Sequence, residues 1–484
     1  MGGQTLTRAD IPLPGGAEAV LTASGLEHYR HSDYLGNGRA GQVPACLRPR
    51  RPQRPRPPAA VVFCLLALGG VRLCAAGCHS PSFLFAFGGT LFSAAAGKPA
   101  TPIASGFVAP HDITWAPGCA HYAFLDAGSL WVGAPGRPPV KVGIPEIARA
   151  PRIGGTEFLW RPGGNAIAVT APASGCGSGR ATGKPANPLT VLLVAVPGLR
   201  VTRLTSRCGA RAINWSSGGH RLFAAVRDGP ACPDAAPVCS SSDVVELTAE
   251  DGHRRTLIRS AKLNALGLDT PSAVAFDPKT GVLRAWATTS PIGGLGAFFA
   301  LKLPAATILW SLESYGTTCL PSGHVISLVR KTMDYDSTGF NWVWQYEDVA
   351  DGDVISKYQP QPTSGGGEEG TLSRDGRLVL WSPDAAWRDL RFATPNAPDF
   401  WAYRLPGNFV AGLVTWTPQD LVLVPGHATI GAGEMAVGLW LLDPGRKTST
   451  RLFTAKGNAR ELGSRVTAYG AALSVAKWAA PSCF

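Results

Sequence analysis

Ile113-Thr-Trp-Ala-Pro-Gly-Cys-Ala-His-Tyr-Ala-Phe124 sets an aromatic residue before a tight turn and a short apolar strand after it. The arrangement recurs as Phe158-Leu-Trp-Arg-Pro-Gly-Gly-Asn-Ala-Ile-Ala-Val169 and Ile213-Asn-Trp-Ser-Ser-Gly-Gly-His-Arg-Leu-Phe-Ala224. It returns as Val274-Ala-Phe-Asp-Pro-Lys-Thr-Gly-Val-Leu283 and, more weakly, as Cys319-Leu-Pro-Ser-Gly-His-Val-Ile326. Thr371-Leu-Ser-Arg-Asp-Gly-Arg-Leu-Val-Leu380 and Val414-Thr-Trp-Thr-Pro-Gln-Asp-Leu-Val-Leu423 complete the series. Trp115 and Trp416 stand 301 residues and six intervals apart, a mean period of about 50. A strand-rich repeat of that length points to propeller blades.

Each position of the unit has a mechanical reason. The aromatic ring packs between neighbouring blades, Pro sets φ for the turn, Gly accepts a positive φ, and apolar alternation resumes in the second strand. A second unit lies between copies of the first, as in Gly128-Ser-Leu-Trp-Val-Gly-Ala-Pro-Gly-Arg137, Ser242-Asp-Val-Val-Glu-Leu-Thr-Ala-Glu-Asp-Gly-His253 and Val437-Gly-Leu-Trp-Leu-Leu-Asp-Pro-Gly-Arg446. It supplies the third and fourth strands. The motifs Trp-Ala-Pro-Gly, Trp-Arg-Pro-Gly-Gly, Trp-Ser-Ser-Gly-Gly and Ser-Arg-Asp-Gly resemble the W-S-P-D-G hairpin of TolB-like, WD-like propellers. That hairpin also occurs in the propeller domains of prolyl-oligopeptidase-type enzymes. The resemblance covers roughly residues 83–478 and implies the fold. Only Asp277 and Asp375 keep an Asp near the family position, so no shared ligand role for that Asp is implied.

The expected fold class is therefore all-β: a single β-propeller of four-stranded blades, with eight blades favoured and seven the alternative. A second-type unit, Gly89-Thr-Leu-Phe-Ser-Ala-Ala-Ala-Gly-Lys-Pro99, precedes the first of the seven first-type units. A leftover strand pair, Arg465-Val-Thr-Ala-Tyr-Gly-Ala-Ala-Leu-Ser-Val-Ala-Lys-Trp478, follows the last second-type unit. A composite blade built from both termini would close a monomeric ring and remove its exposed edges. Composition agrees: 58 Gly and 41 Pro interrupt any long helix, while 45% hydrophobic residues exceed what a disordered chain holds.

The net charge is +12, of which +5 falls within residues 1–78. Its densest part is Arg48-Pro-Arg-Arg-Pro-Gln-Arg-Pro-Arg56, which has no aromatic residues for base stacking, so no nucleic-acid partner is expected. The 13 residues Ala59–Val71 that follow form an apolar run, and small residues then lead to Cys78. Basic, apolar and small-residue regions in that order read as a secretory signal. Ala75-Ala-Gly-Cys78 resembles the lipobox of bacterial lipoproteins, which implies lipidation of Cys78, although Ala75 stands where Leu is usual and Arg72 interrupts the apolar run. An uncleaved anchor and ordinary cleavage near residue 77 are the alternatives, and the run is short for a membrane span of about 20 residues. The expected organisation is an uncharacterised extension over 1–47, a signal over 48–78 and a propeller over 79–484. The destination is extracytoplasmic, periplasmic or at the cell surface.

Three cysteines (Cys46, Cys64 and Cys74) precede the expected cleavage, and Cys78 would carry the lipid. Of the remaining seven, Cys232 and Cys239 look like a stapled loop tip, and Cys176 with Cys208 could clamp the next long insertion. Seven is odd, which leaves one of Cys119, Cys319 and Cys483 free. No G-x-S-x-G, H-E-x-x-H or P-loop pattern is present, so neither catalysis nor a metal or other cofactor is expected. Asp348-Val-Ala-Asp-Gly-Asp353 lacks the distal Glu of a Ca²⁺ loop and reads as a hairpin tip, and Gly365–Gly370 reads as an inter-blade loop despite Glu368 and Glu369. The candidate ligand-face residues are Asp334, Tyr335, Asp336, Trp342 and Trp344, where two acids meet aromatic rings suited to a sugar or a peptide.

The functional expectation is a non-catalytic binding or scaffold protein of the cell envelope, with a protein or an envelope polymer as partner. A carbohydrate- or peptide-active propeller enzyme, and a sensor or accessory subunit reading cell wall, are the alternatives. Translation is expected to begin nearer Leu47 than Met1, because fifty residues ahead of a signal are unusual. N-terminal sequencing of the protein from its native cells should find no peptide from residues 1–40; recovering one would contradict the later start.

Overall fold

The computed structural model describes residues 82–144, 157–172, 189–205, 209–226, 242–288, 296–314, 316–319, 325–336, 339–350, 353–358, 369–373, 377–381, 389–394, 397–458, 473–475 and 477–478. Residues 1–78, read above as an extension and a signal, lie outside these. Among the described residues the strands form eight sheets, six of four strands and two of five. Neighbouring strands are antiparallel throughout, apart from one parallel pair at the C-terminus. The all-β expectation holds, and each of the seven first-type units forms the first hairpin of a sheet, from the second sheet to the eighth.

The first sheet contains Phe83–Phe87, Thr90–Ala95 and Lys98–Ser105, with Ser474–Val475 paired to Phe85 and Ala86. The second contains His111–Trp115, Tyr122–Asp126, Ser129–Gly133 and Val140–Lys141, and Lys477–Trp478 runs parallel beside its first strand. The third to fifth sheets run from Glu157 to Arg203, Ala210 to Ile258 and Ala273 to Ser314, and the sixth to eighth from Gly316 to Tyr358, Glu369 to Arg404 and Val410 to Asn458. The C-terminal segment thus differs from the expected strand pair. It places one short strand in each of two sheets, because the first sheet already takes three strands from the N-terminal side.

The second strands show why these sheets must stack. Tyr122–Asp126 is buried at all five positions, and Leu222–Val226 is equally buried, so both faces of these strands are covered. Apolar clusters join neighbours: Leu84 and Leu91 of the first sheet pack with Ile113 and Phe124 of the second, and similar clusters link the second to the third, the third to the fourth and the fourth to the fifth. Further clusters join the seventh sheet to the eighth and the eighth back to the first. In the last of these, the Phe453 ring lies 4.9 Å from Phe85 and 5.5 Å from both Phe87 and Phe92.

Polar groups lock the same interfaces. The Trp160 indole N–H donates to the Thr114 carbonyl of the preceding sheet, and the Trp215 indole N–H donates to Leu159 O, each at 3.2 Å. The buried Asn214 side chain accepts from Val274 N–H and donates to Val274 O across the next interface, both at 2.8 Å. Arg161 lies 5.7 Å over the Trp215 ring and donates to Gly219 O at 2.7 Å, joining successive turns. Gly164, at φ +70°, fits against the preceding turn because a Cβ there would stand 2.7 Å from Pro117 O. One departure from the all-strand expectation is a helix, Ser260–Ala265, where Ser-Ala-Lys-Leu-Asn-Ala contains no breaker and seats Leu263 in the core.

Replacing Asn214 by Ala leaves both backbone groups of Val274 buried and unpaired. Urea denaturation should show a loss of about 2–4 kcal/mol. A variant as stable as the parent would remove this interface bond from the account. Likewise, deleting residues 465–484 should lower the melting temperature of the whole domain, and an unchanged value would contradict a structural role for the terminal strands.

Candidate functional site: the cleft between the first two sheets

The Trp-to-carbonyl series stops at the first interface. The Trp115 indole N–H is buried and has no hydrogen-bond partner, unlike those of Trp160 and Trp215. Here the sheet preceding Trp115 is completed only by the two-residue strand Ser474–Val475. A cavity of about 390 Å³ opens beside it. That volume is within the range of small-ligand sites.

The first two sheets supply the lining. Ser82 precedes the first strand of the first sheet, while Ser93 and Thr101 come from its second and third strands. Trp115 and Tyr122 flank the first turn of the second sheet, and Arg137 follows its third strand. The walls thus combine hydroxyl groups, two aromatic rings and one exposed guanidinium. No lining residue is acidic. Such a surface can hydrogen-bond hydroxyl or carbonyl groups through Ser82, Ser93, Thr101 and Arg137, above a floor formed by the buried Trp115 and Tyr122 rings, and it lacks a carboxylate pair for hydrolysis.

Tyr122 is fixed from two sides. Its ring packs edge-on to Trp115 at 5.5 Å, and its hydroxyl donates to Arg137 O at 3.5 Å. Gly133 lies against the ring, where a Cβ would stand 2.2 Å from Cζ. Burial pushes the phenol up to about 12. Cys119, in the turn after Trp115, packs against the Leu84 and Trp115 cluster and is disulfide-bonded. Of the three cysteines among which the sequence left one free, it is therefore not the free one.

Other buried charges belong to the framework. Glu246 accepts from Arg221 at 2.7 Å and from Arg255 at 2.8 Å, with all three side chains on adjacent strands of the fourth sheet. The Asp126 carboxylate accepts from Val108 N–H at 3.0 Å and Ala109 N–H at 2.8 Å, fixing the connection into the second sheet. No cluster of three metal-ligating side chains occurs among the described residues.

The sequence's candidate residues lie elsewhere. Asp334, Tyr335 and Asp336 end Val325–Asp336, and Trp342 and Trp344 lie in Gly339–Ala350, the two twelve-residue strands of the sixth sheet. Asp334 pairs with Asn341 and Arg330 with Trp344 in the strand register. The side chains of these five residues are outside the described set. Cys78, Cys176, Cys208, Cys232 and Cys239 are outside the described residues altogether. Of the cleft residues, only Trp115 drew attention from sequence, as core. Ser82 and Thr101 lie outside the repeat units and Tyr122 and Arg137 within them, and nothing in either unit marks these four as neighbours; packing brings them together.

No known protein family matches the chain, and no curated protein does. Similar solved structures include a prolyl endopeptidase, at 10% identity and TM-score 0.48 over 73% of this chain, which spans half of that one. They also include the dihydro-heme d1 dehydrogenase NirN, at 13% identity and TM-score 0.47, with 78% of this chain and 75% of that one covered. TolB from Acinetobacter baumannii matches at 12% identity and TM-score 0.31, over 59% and 64% of the two chains.

Tyr122 gives the cleft a pH signature. Below pH 10 both folded and unfolded chains keep the phenolic proton; between about pH 10 and 12 only the unfolded chain loses it, so stability falls as pH rises through that window. Tyr122→Phe should lack this contribution, and its stability deficit relative to the parent should shrink by about 2–3 kcal/mol across the window. Parallel pH profiles for the two proteins would contradict a proton held by burial.

Proposed function

We propose that the chain is an exported, TolB-like β-propeller of eight blades that binds a partner of the cell envelope and catalyses no reaction. The eight sheets are its blades, and the ring closes where three N-terminal strands and Ser474–Val475 share the first sheet. The cluster between the eighth and first sheets supports that closure. The arginine-rich lead and apolar run over 48–78 direct export. Among the described residues no helix is long and apolar enough to cross a membrane. An acylated Cys78, an uncleaved anchor and a cleaved signal would each deliver the ring outside the cytoplasm.

The observation that carries the binding reading is the cleft between the first two sheets. Its rim offers the hydroxyls of Ser82, Ser93 and Thr101 and the exposed Arg137 guanidinium and holds no acid, while Glu246 and Asp126 are spent on structure. A glycan strand or a peptide segment presents acceptors matched to this lining. The ring stays rigid and the partner supplies the chemistry, if any.

The test is capture from native envelope extract with the purified protein and with Arg137→Glu, a substitution at an exposed rim position. The parent should retain one envelope polymer or protein, and the variant should retain at least about tenfold less, as loss of a charge-assisted contact requires. Equal retention by both would move binding away from this cleft. Turnover of a glycan or peptide substrate, abolished by replacing Asp334 and Asp336, would replace the binding reading with an enzymatic one.

A further inference from the structure

We propose that the cleft between the first two sheets takes a linear anionic glycan, a chain of sugars bearing carboxylates, which continues from the cleft across the turns of the first three sheets. This inference rests on the binding reading above and adds the charge and the direction of the ligand. The observation that carries it is a separation of charge along the strands.

The turns Ala116–Cys119 and Arg161–Gly164 mark one end of the second and third sheets, and they touch, since Gly164 lies against Pro117 O. The first sheet starts Phe83–Phe87 at that same end, because Ser82 lines the cavity together with Tyr122 and Arg137. One exposed cation of each sheet stands here. Lys98 pairs with Ala95, next to Ala94, the partner of Phe83. Arg137 lies in the turn after Gly133, the partner of Tyr122. Arg200 lies in the turn after Ala195, the partner of Ala166.

The acids of the same stretch lie at the opposite end. Among the described residues of 82–205 they are Asp112, Asp126 and Glu157. Asp112 and Glu157 begin strands that run into the turns, and Asp126 ends a strand that leaves one. Each is already engaged: Asp112 with His111 at 3.0 Å, Asp126 with two backbone N–H groups, and Glu157 with two Arg211 nitrogens at 2.9 Å. No described acid of the three sheets therefore offsets Lys98, Arg137 and Arg200. The arc stops at the fourth sheet, where the turn after Asp243–Thr248 carries Glu250 and Asp251, and Glu250 accepts from Arg161 at 3.1 Å.

Stacked sheets lie about 10 Å apart, so the three cations are spread over about 20 Å. A polymer spans that distance and a small ion does not. Phosphoryl groups are read by clustered arginines, whereas single charges recurring from sheet to sheet match one carboxylate at a time. The rest of the rim suits sugar. Hydroxyls of Ser82, Ser93 and Thr101 can donate and accept as sugar hydroxyls do, and Thr101, which donates to Ser93 O at 3.4 Å, keeps its acceptor capacity.

The test is binding of alginate fragments, which are chains of uronic acids, against the same fragments with their carboxylates reduced to alcohols. The purified protein should bind alginate at least about tenfold more tightly than the reduced form, and added salt should narrow that difference. Lys98→Glu and Arg200→Glu, two exposed positions outside the cavity lining, should each weaken binding about fivefold. Lys262→Glu, an exposed reversal in the helix that follows Arg254–Ile258 at the opposite end, should bind as the parent does. Parental binding by both Lys98→Glu and Arg200→Glu would remove the path across the turns, and tighter binding of polyphosphate or poly-L-glutamate than of alginate would overturn the glycan. Envelope capture that depends on Arg137, with alginate bound no better than its reduced form, would overturn the anionic ligand and leave the cleft as a binding site. Capture indifferent to Arg137 and no binding of alginate would overturn both readings.

Discussion

From the first sheet to the fourth, and again in the eighth, apolar clusters cover both faces, and that constraint governs the molecule. A second strand such as Tyr122–Asp126 cannot alternate between core and water, because a neighbouring sheet lies on either side. Its residues are apolar or have their polar atoms bonded, as with the Asp126 carboxylate and its two backbone donors. Most of the stabilisation then resides between sheets, where fully buried Phe124, Phe223 and Phe299 each remove apolar area worth about 1.5–3 kcal/mol. The indole and Asn214 bonds add registration to that non-directional attraction.

A stack governed by its interfaces is sensitive to its ends. An unpaired end sheet would expose one apolar face and an open edge. Sharing the first sheet between the two termini addresses the edge, and the Phe453 contact with Phe85, Phe87 and Phe92 addresses the face. The cost falls at the next interface, where a two-residue strand replaces a full one and the Trp115 donor is left unmatched. Ligand-sized space and loss of framework bonding coincide there.

Much of this architecture was legible in the sequence because its repeat reports a local event. An aromatic residue, a turn and an apolar strand are contiguous in the chain, so Trp115, Trp160, Trp215 and Trp416 could be placed in first hairpins, and all four are buried. The weak unit at Cys319 also begins a sheet, since a strand needs only its pattern and not the Trp. What escaped was non-local. The division of 474–478 between two sheets depends on how many strands the N-terminal side supplies, and no residue in that segment encodes it. Nor do Ser82, Thr101 and Arg137 share a motif; three separate segments bring them to one cavity. The Ser260–Ala265 helix was missed because six residues are too few to show helical periodicity.

The central claim is that the last sheet packs on the first. The most direct measurement is the distance between spin labels at Thr101 and Arg451, exposed positions on strands that adjoin across that interface. The ring predicts one narrow, short distance in solution. A broad distribution centred at long separation would show that the two sheets do not meet, and would contradict the closed ring.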